Sequence, residues 1–168
     1  MKVRSMVALA IVIIAIIFAA DILLAGEADS LRIKEPANKN CVSLGILQGG
    51  GALIGADYER LLVKNIGVQV GAGLTGFGAA VNFHFKPSVS SPAISLCYWN
   101  QGTSGELLSQ RALGVTYLYR SVKGLTAQIG LGYLLEVGKL MEDYYEDHGV
   151  ENPPDVLLLY SLGWTFKF

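Results

Sequence analysis

Two histidines, two cysteines and scattered carboxylates are the residues of this chain whose types could carry proton transfer, nucleophilic attack or metal binding. His84 lies in VNFHFK and His148 in YYEDHGV, and neither has a serine or cysteine at a recognisable nucleophile spacing. Cys41 and Cys97 are far apart and lack any metal or redox spacing, so both read as small core residues. The segment GKLMEDYYEDHGVENPPD gathers Glu142, Asp143, Glu146, Asp147, Glu151 and Asp155. Such carboxylates are hard oxygen ligands, but the D-x-[DN]-x-[DN]-G order of a calcium loop is missing. A solvated charged loop therefore fits better than more than weak surface binding of cations. Gly49 to Gly51 and the GLTGFG stretch are followed by no Gly-Lys-Ser/Thr and open no helix, so they read as hairpin turns and slim inner walls, not phosphate cradles. These patterns predict no enzyme, no cofactor and no metal.

A second set of ionisable residues, Asp57, Glu59, His84, Lys86, Arg120, Glu136 and Lys167, falls within segments that alternate with period two. In GLTAQIGLGYLLEV, residues Leu125, Ala127, Ile129, Leu131, Tyr133, Leu135 and Val137 share one face, opposed by Thr126, Gln128, Gly130, Gly132, Leu134 and Glu136. The last segment does the same, with Tyr160, Leu162, Trp164, Phe166 and Phe168 on one face and Ser161, Gly163, Thr165 and Lys167 on the other. Ile66 to Leu74, Phe77 to Lys86 and Leu113 to Arg120 follow suit, while Val42 to Gln48, Ala52 to Val63 and Ala93 to Gln101 are less clean. The total is about eight strands, an even number that can close into an antiparallel up-and-down barrel.

Residue size decides which face points inward. One face carries Leu, Tyr, Phe and Trp at nearly every position; the other is mostly Gly, Ala, Ser, Thr and Gln with a few charges. An eight-strand interior is narrow, so only the small-residue face fits inside, and the bulky face is left to meet lipid. A soluble lipocalin-like cup, with its apolar face inward, is the alternative. The inward charges then read as a lumen network paired with itself rather than as the lining of a conduit, and Leu47, Leu53, Leu61, Leu134, Leu157 and Leu159 point inward as filling. A narrow channel for small solutes stays open as the second reading.

The composition agrees: 52% hydrophobic and 16% charged in 168 residues, yet no apolar run past residue 30 approaches the ~20 residues of a spanning helix. A net charge of -1 supplies no field for nucleic acid. Before the strands, Lys2 and Arg4 precede the apolar run Met6 to Ala20, and small residues at Gly26 and Ala28 flank Glu27. This predicts a signal peptide over 1–28, cleaved after Ala28 or at the second candidate Ala20, with an uncleaved anchor as the alternative. Residues 29–39 form a short mature N-terminal segment and 40–168 the barrel. Lys64-Asn65, Pro87 to Pro92 and Ser121 to Gly124 are compact alternate connections, whereas Gly138 to Asp155 is long, so the acidic loop is expected on the exterior and able to meet an extracellular partner.

With these features the chain resembles the small outer-membrane β-barrel family that includes the OmpA-like and OmpX-like transmembrane domains, over residues 40–168. The match is architectural. The resemblance implies an outer-membrane location in a Gram-negative-type envelope, contact with its lipid, and dependence on secretion and barrel-assembly machinery. It makes Tyr160, Leu162, Trp164, Phe166 and Phe168 resemble the terminal assembly signal. No segment resembling the family's appended peptidoglycan-binding domain follows the last strand. The family includes anchors, adhesins, slender pores and a few lipid-modifying enzymes, so it constrains location more than activity. Lipid A deacylases are of similar size, but their His-x-Ser arrangement is not reproduced by His84-Phe85-Lys86.

Overall fold

Alternating side chains can close a sheet only if every strand finds two partners, and here each does. A computed structural model describes residues 38–102, 109–139, 143, 146–148 and 155–168. The strands are β1 (Asn40–Ile46), β2 (Ile54–Val63), β3 (Ile66–Gly73), β4 (Gly76–His84), β5 (Ala93–Gln101), β6 (Gln110–Arg120), β7 (Leu125–Val137) and β8 (Val156–Lys167). Each pairs antiparallel with its sequence neighbours, and β1 pairs with β8 to complete a closed eight-stranded barrel. Closure leaves no sheet edge with unpaired backbone groups.

The expected strand over Leu125–Val137 has those bounds, while β1, β2 and β6 are shifted by a few residues at their ends. The predicted signal peptide and residues 29–37 lie outside the described residues.

The two faces separate as residue size requires. Leu44, Tyr58, Val70, Phe83, Leu96, Val115, Tyr133 and Trp164, one from each strand in order, are exposed on the outside. Gln69, Asn82, Ser95, Thr116, Gln128 and Thr165 are buried inside. Tyr117, outward by alternation, is nonetheless buried, its ring 6.4 Å from that of Phe85. Trp99 runs against the size rule: it lies in the lumen, 5% exposed, clustered with Ala80, Cys97, Ala112 and Leu159. Its neighbours are small, and this lets one large ring fit a narrow interior. Cys41 belongs to a separate cluster with Leu61 and Val89, and both cysteines are free thiols.

The antiparallel order gives the barrel two unlike rims. One carries the start of β1, the end of β8 and the connections 64–65, 85–92 and 121–124; the other carries 47–53, 74–75, 102–109 and 138–155. We call them the terminal rim and the loop rim.

Candidate functional site in the barrel lumen

Glu59 on β2, His84 at the end of β4 and Arg120 at the end of β6 all point inward near the terminal rim and are buried. One Glu59 carboxylate oxygen lies 2.6 Å from His84 Nε2, and the other accepts from Arg120 Nη1. The remaining partners come from the 85–92 connection, which folds inward across the rim. Arg120 Nη1 also donates to the Val89 carbonyl at 3.1 Å, and His84 Nδ1 lies 3.0 Å from the Ser91 carbonyl. Val89 is fully buried between Cys41 and Leu61. A carboxylate shared by guanidinium and imidazole beside the buried Val89 is a charge-assisted network that engages both Glu59 oxygens and both His84 ring nitrogens, while Arg120 Nε is buried without a hydrogen-bond partner.

Asp57, two residues before Glu59 and on the same face, serves the opposite end of the lumen. After β1 the chain does not turn back tightly; Gln48–Gly51 tucks into the barrel and is buried. Leu47, Gly49, Gly50 and Gly51 all have positive φ. Gly49 (φ 68°) and Gly50 (φ 78°) run so close to the strands that a Cβ on Gly49 would lie 2.6 Å from the Ala72 carbonyl carbon. Only glycine meets both demands. Asp57 Oδ2 accepts from the Gly49 N–H at 3.1 Å, and Gln48 Nε2 donates to Ser161 Oγ at 3.2 Å. The triglycine stretch, expected to be a hairpin turn and inner wall, is thus a lumen closure.

Between the two ends lies a neutral polar layer. Asn82 Nδ2 donates to Gln69 Oε1 at 2.8 Å, Gln128 Nε2 to Thr116 Oγ1 at 2.5 Å, and Ser43 and Thr165 hydroxyls are 2.7 Å apart.

The structure therefore brings Glu59, His84 and Arg120 together and sets Asp57 apart from them as the anchor of the turn. Of the other three residues expected in the lumen network, two leave the inner face. Glu136 is a correction: the β6–β7 register skips at Arg111/Ala112, pairing Ala112 with Leu134 but Arg111 with Glu136. One extra residue on β7 inverts the alternation beyond it. Glu136 consequently leaves the inner face and meets Arg111 at 2.5 Å, with both side chains substantially exposed. Lys86 is a second correction, since β4 ends at His84 and the chain leaves the ladder; Lys86 is exposed and Val89 enters in its place. Lys167, in register with buried Cys41 at the rim, donates from its Nζ to the Ser121 and Val122 carbonyls at 2.9 and 3.1 Å, capping the β6–β7 turn. Leu61 and Leu159 are buried, but Leu53 is exposed at the loop rim.

On the outside, Tyr160, Leu162, Trp164, Phe166 and Phe168 of the terminal segment are all exposed on one face. Asp143, Glu146, Asp147 and Asp155 are exposed in the connection at the loop rim, and Glu142 and Glu151 fall outside the described residues. Among the described residues, no group of three or more His, Cys, Asp or Glu is placed to hold a metal ion. Sequence reasoning missed Val89, Ser91, Gln48 and Gly49 because alternation says nothing of connections. The available hints were a lone valine in a six-residue serine and proline stretch and three successive glycines.

Comparison with protein-family models, curated proteins and solved structures finds no match for this chain.

Proposed function

We propose that the chain is an outer-membrane β-barrel protein with a structural or surface-interaction role, closed to solutes. The observation that carries this reading is the inversion of polarity. Large apolar side chains stand exposed on all eight strands, while Glu59, His84, Arg120, Asp57 and the polar layer are buried. Exposed apolar area on this scale is costly in water and ordinary in lipid. Exposed Phe83, Phe85, Trp164, Phe166 and Phe168 lie towards the terminal rim, where an aromatic girdle meets the interface.

The loop rim supplies the surface for recognition, and the acidic connection 138–155 is its longest segment. A channel is disfavoured by the inward closures at both ends. Catalysis by His84 is disfavoured because both its ring nitrogens are engaged, by Glu59 and by the Ser91 carbonyl. A ligand-binding cup would need an open apolar lumen, and this one is lined largely by buried polar groups.

Membrane fractionation tests the reading. The protein is expected to resist carbonate extraction, to appear in the outer-membrane fraction, and to migrate differently on SDS gels before and after boiling. Release by carbonate with no shift on boiling would overturn it and revive the soluble cup.

A further inference from the structure

The two rims differ in charge as sharply as the two faces differ in polarity. At the terminal rim every connection contributes a cation: Lys39 before β1, Lys64 between β2 and β3, Lys86 between β4 and β5, and Lys123 between β6 and β7, all exposed. Arg60, exposed on the outer face of β2, pairs in register with Asn40 at the same end. Lys167 adds a sixth charge, spent on turn carbonyls. Among the described residues this rim shows no exposed Asp or Glu side chain, because Glu59, the carboxylate at this end, is buried in the lumen. The exposed carboxylates Glu136, Asp143, Glu146, Asp147 and Asp155 all belong to the loop rim, where Arg111 pairs with Glu136 and Lys139 is the exposed cation among the described residues.

The distribution identifies the partner. A protein or a soluble anion engages a patch on one side, whereas these cations recur at successive connections around the whole circumference. They also adjoin the aromatic end of the apolar belt, where a bilayer's phosphates would lie. We propose, building on the membrane reading above, that the terminal rim is an anionic-lipid binding collar whose ligands are the phosphates of acidic phospholipid headgroups in the leaflet it contacts. Each cation near such a surface strengthens partition by about five-fold at low salt. The carboxylates of the opposite rim repel the same headgroups, so the collar also biases which way the barrel inserts.

The test uses the full chain, reconstituted either in phosphatidylcholine vesicles or in an equal mixture of phosphatidylcholine and phosphatidylglycerol, with spin-labelled analogues of both lipids reporting the first lipid shell. At low salt, phosphatidylglycerol is expected to be enriched at the protein several-fold over phosphatidylcholine, and the enrichment should fall as salt rises. Combining Lys39→Gln, Arg60→Gln, Lys64→Gln, Lys86→Gln and Lys123→Gln should abolish the enrichment while leaving the heat-modifiable barrel intact, since all five side chains are exposed. Glu146→Gln with Asp147→Gln at the other rim should leave it undiminished. Insertion into both vesicle types with no lipid preference, or a preference that survives the five substitutions, overturns the collar and spares the membrane reading. Failure to insert into either overturns both.

Discussion

Among the described residues Glu59 is the carboxylate that pairs with Arg120, and it also faces His84. Buried charges of this kind stabilise little when complete and cost much when broken, since the surviving partner is left without solvent or counter-ion. Glu59→Ala should therefore destabilise the barrel by about 3–5 kcal/mol. Because Arg120→Ala removes the charge that Glu59→Ala strands, the double variant should lose clearly less than the sum of the two single ones. Urea unfolding of the reconstituted protein, followed through lumenal Trp99 and outward Trp164, gives both numbers. A loss below about 1 kcal/mol for Glu59→Ala would mean that the lumen is wet and each charge separately hydrated.

At the scale of elements, the Gln48–Gly51 turn depends on conformations that other residues resist. In Gly50→Ala the new Cβ would face positive φ and lie 2.5 Å from the Gly78 nitrogen. The turn should leave the lumen at a cost of about 1–3 kcal/mol, and the connection between Ile46 and Ile54 should become a site of cleavage by a broad-specificity protease that the native protein resists. Equal resistance in the two proteins would show that the turn is not held by its glycines. The strands were legible in the sequence because alternation and residue size act locally, as in Leu125–Val137 and in the terminal aromatic run. Glu59, His84 and Arg120 could be assigned inward for the same reason. The site's remaining parts were not legible: the extra residue on β7 that turns Glu136 outward, and the two connections that fold inward, are settled by register and by long-range packing. No periodicity within one segment reports either.

For the whole molecule, the deciding question is whether the lumen conducts. At the loop rim the path is closed by the Gln48–Gly51 turn, with Trp99 and Leu159 also buried in the lumen. At the terminal rim it is closed by Val89 and by the Arg120 to Glu59 to His84 bridge, which ties β6, β2 and β4 together across the interior. Two inward closures in an eight-stranded barrel argue against the continuous wet path that a wider barrel provides. The native protein is accordingly expected to give no ionic current in planar bilayers, even at high protein load. Gly50→Ala should remain silent too, because freeing the glycine turn leaves the closure at the terminal rim in place. Steady current from the native protein would overturn the structural reading and make Asp57, Glu59 and Arg120 the lining of a slender pore; current from Gly50→Ala alone would locate the single effective gate at the glycine turn.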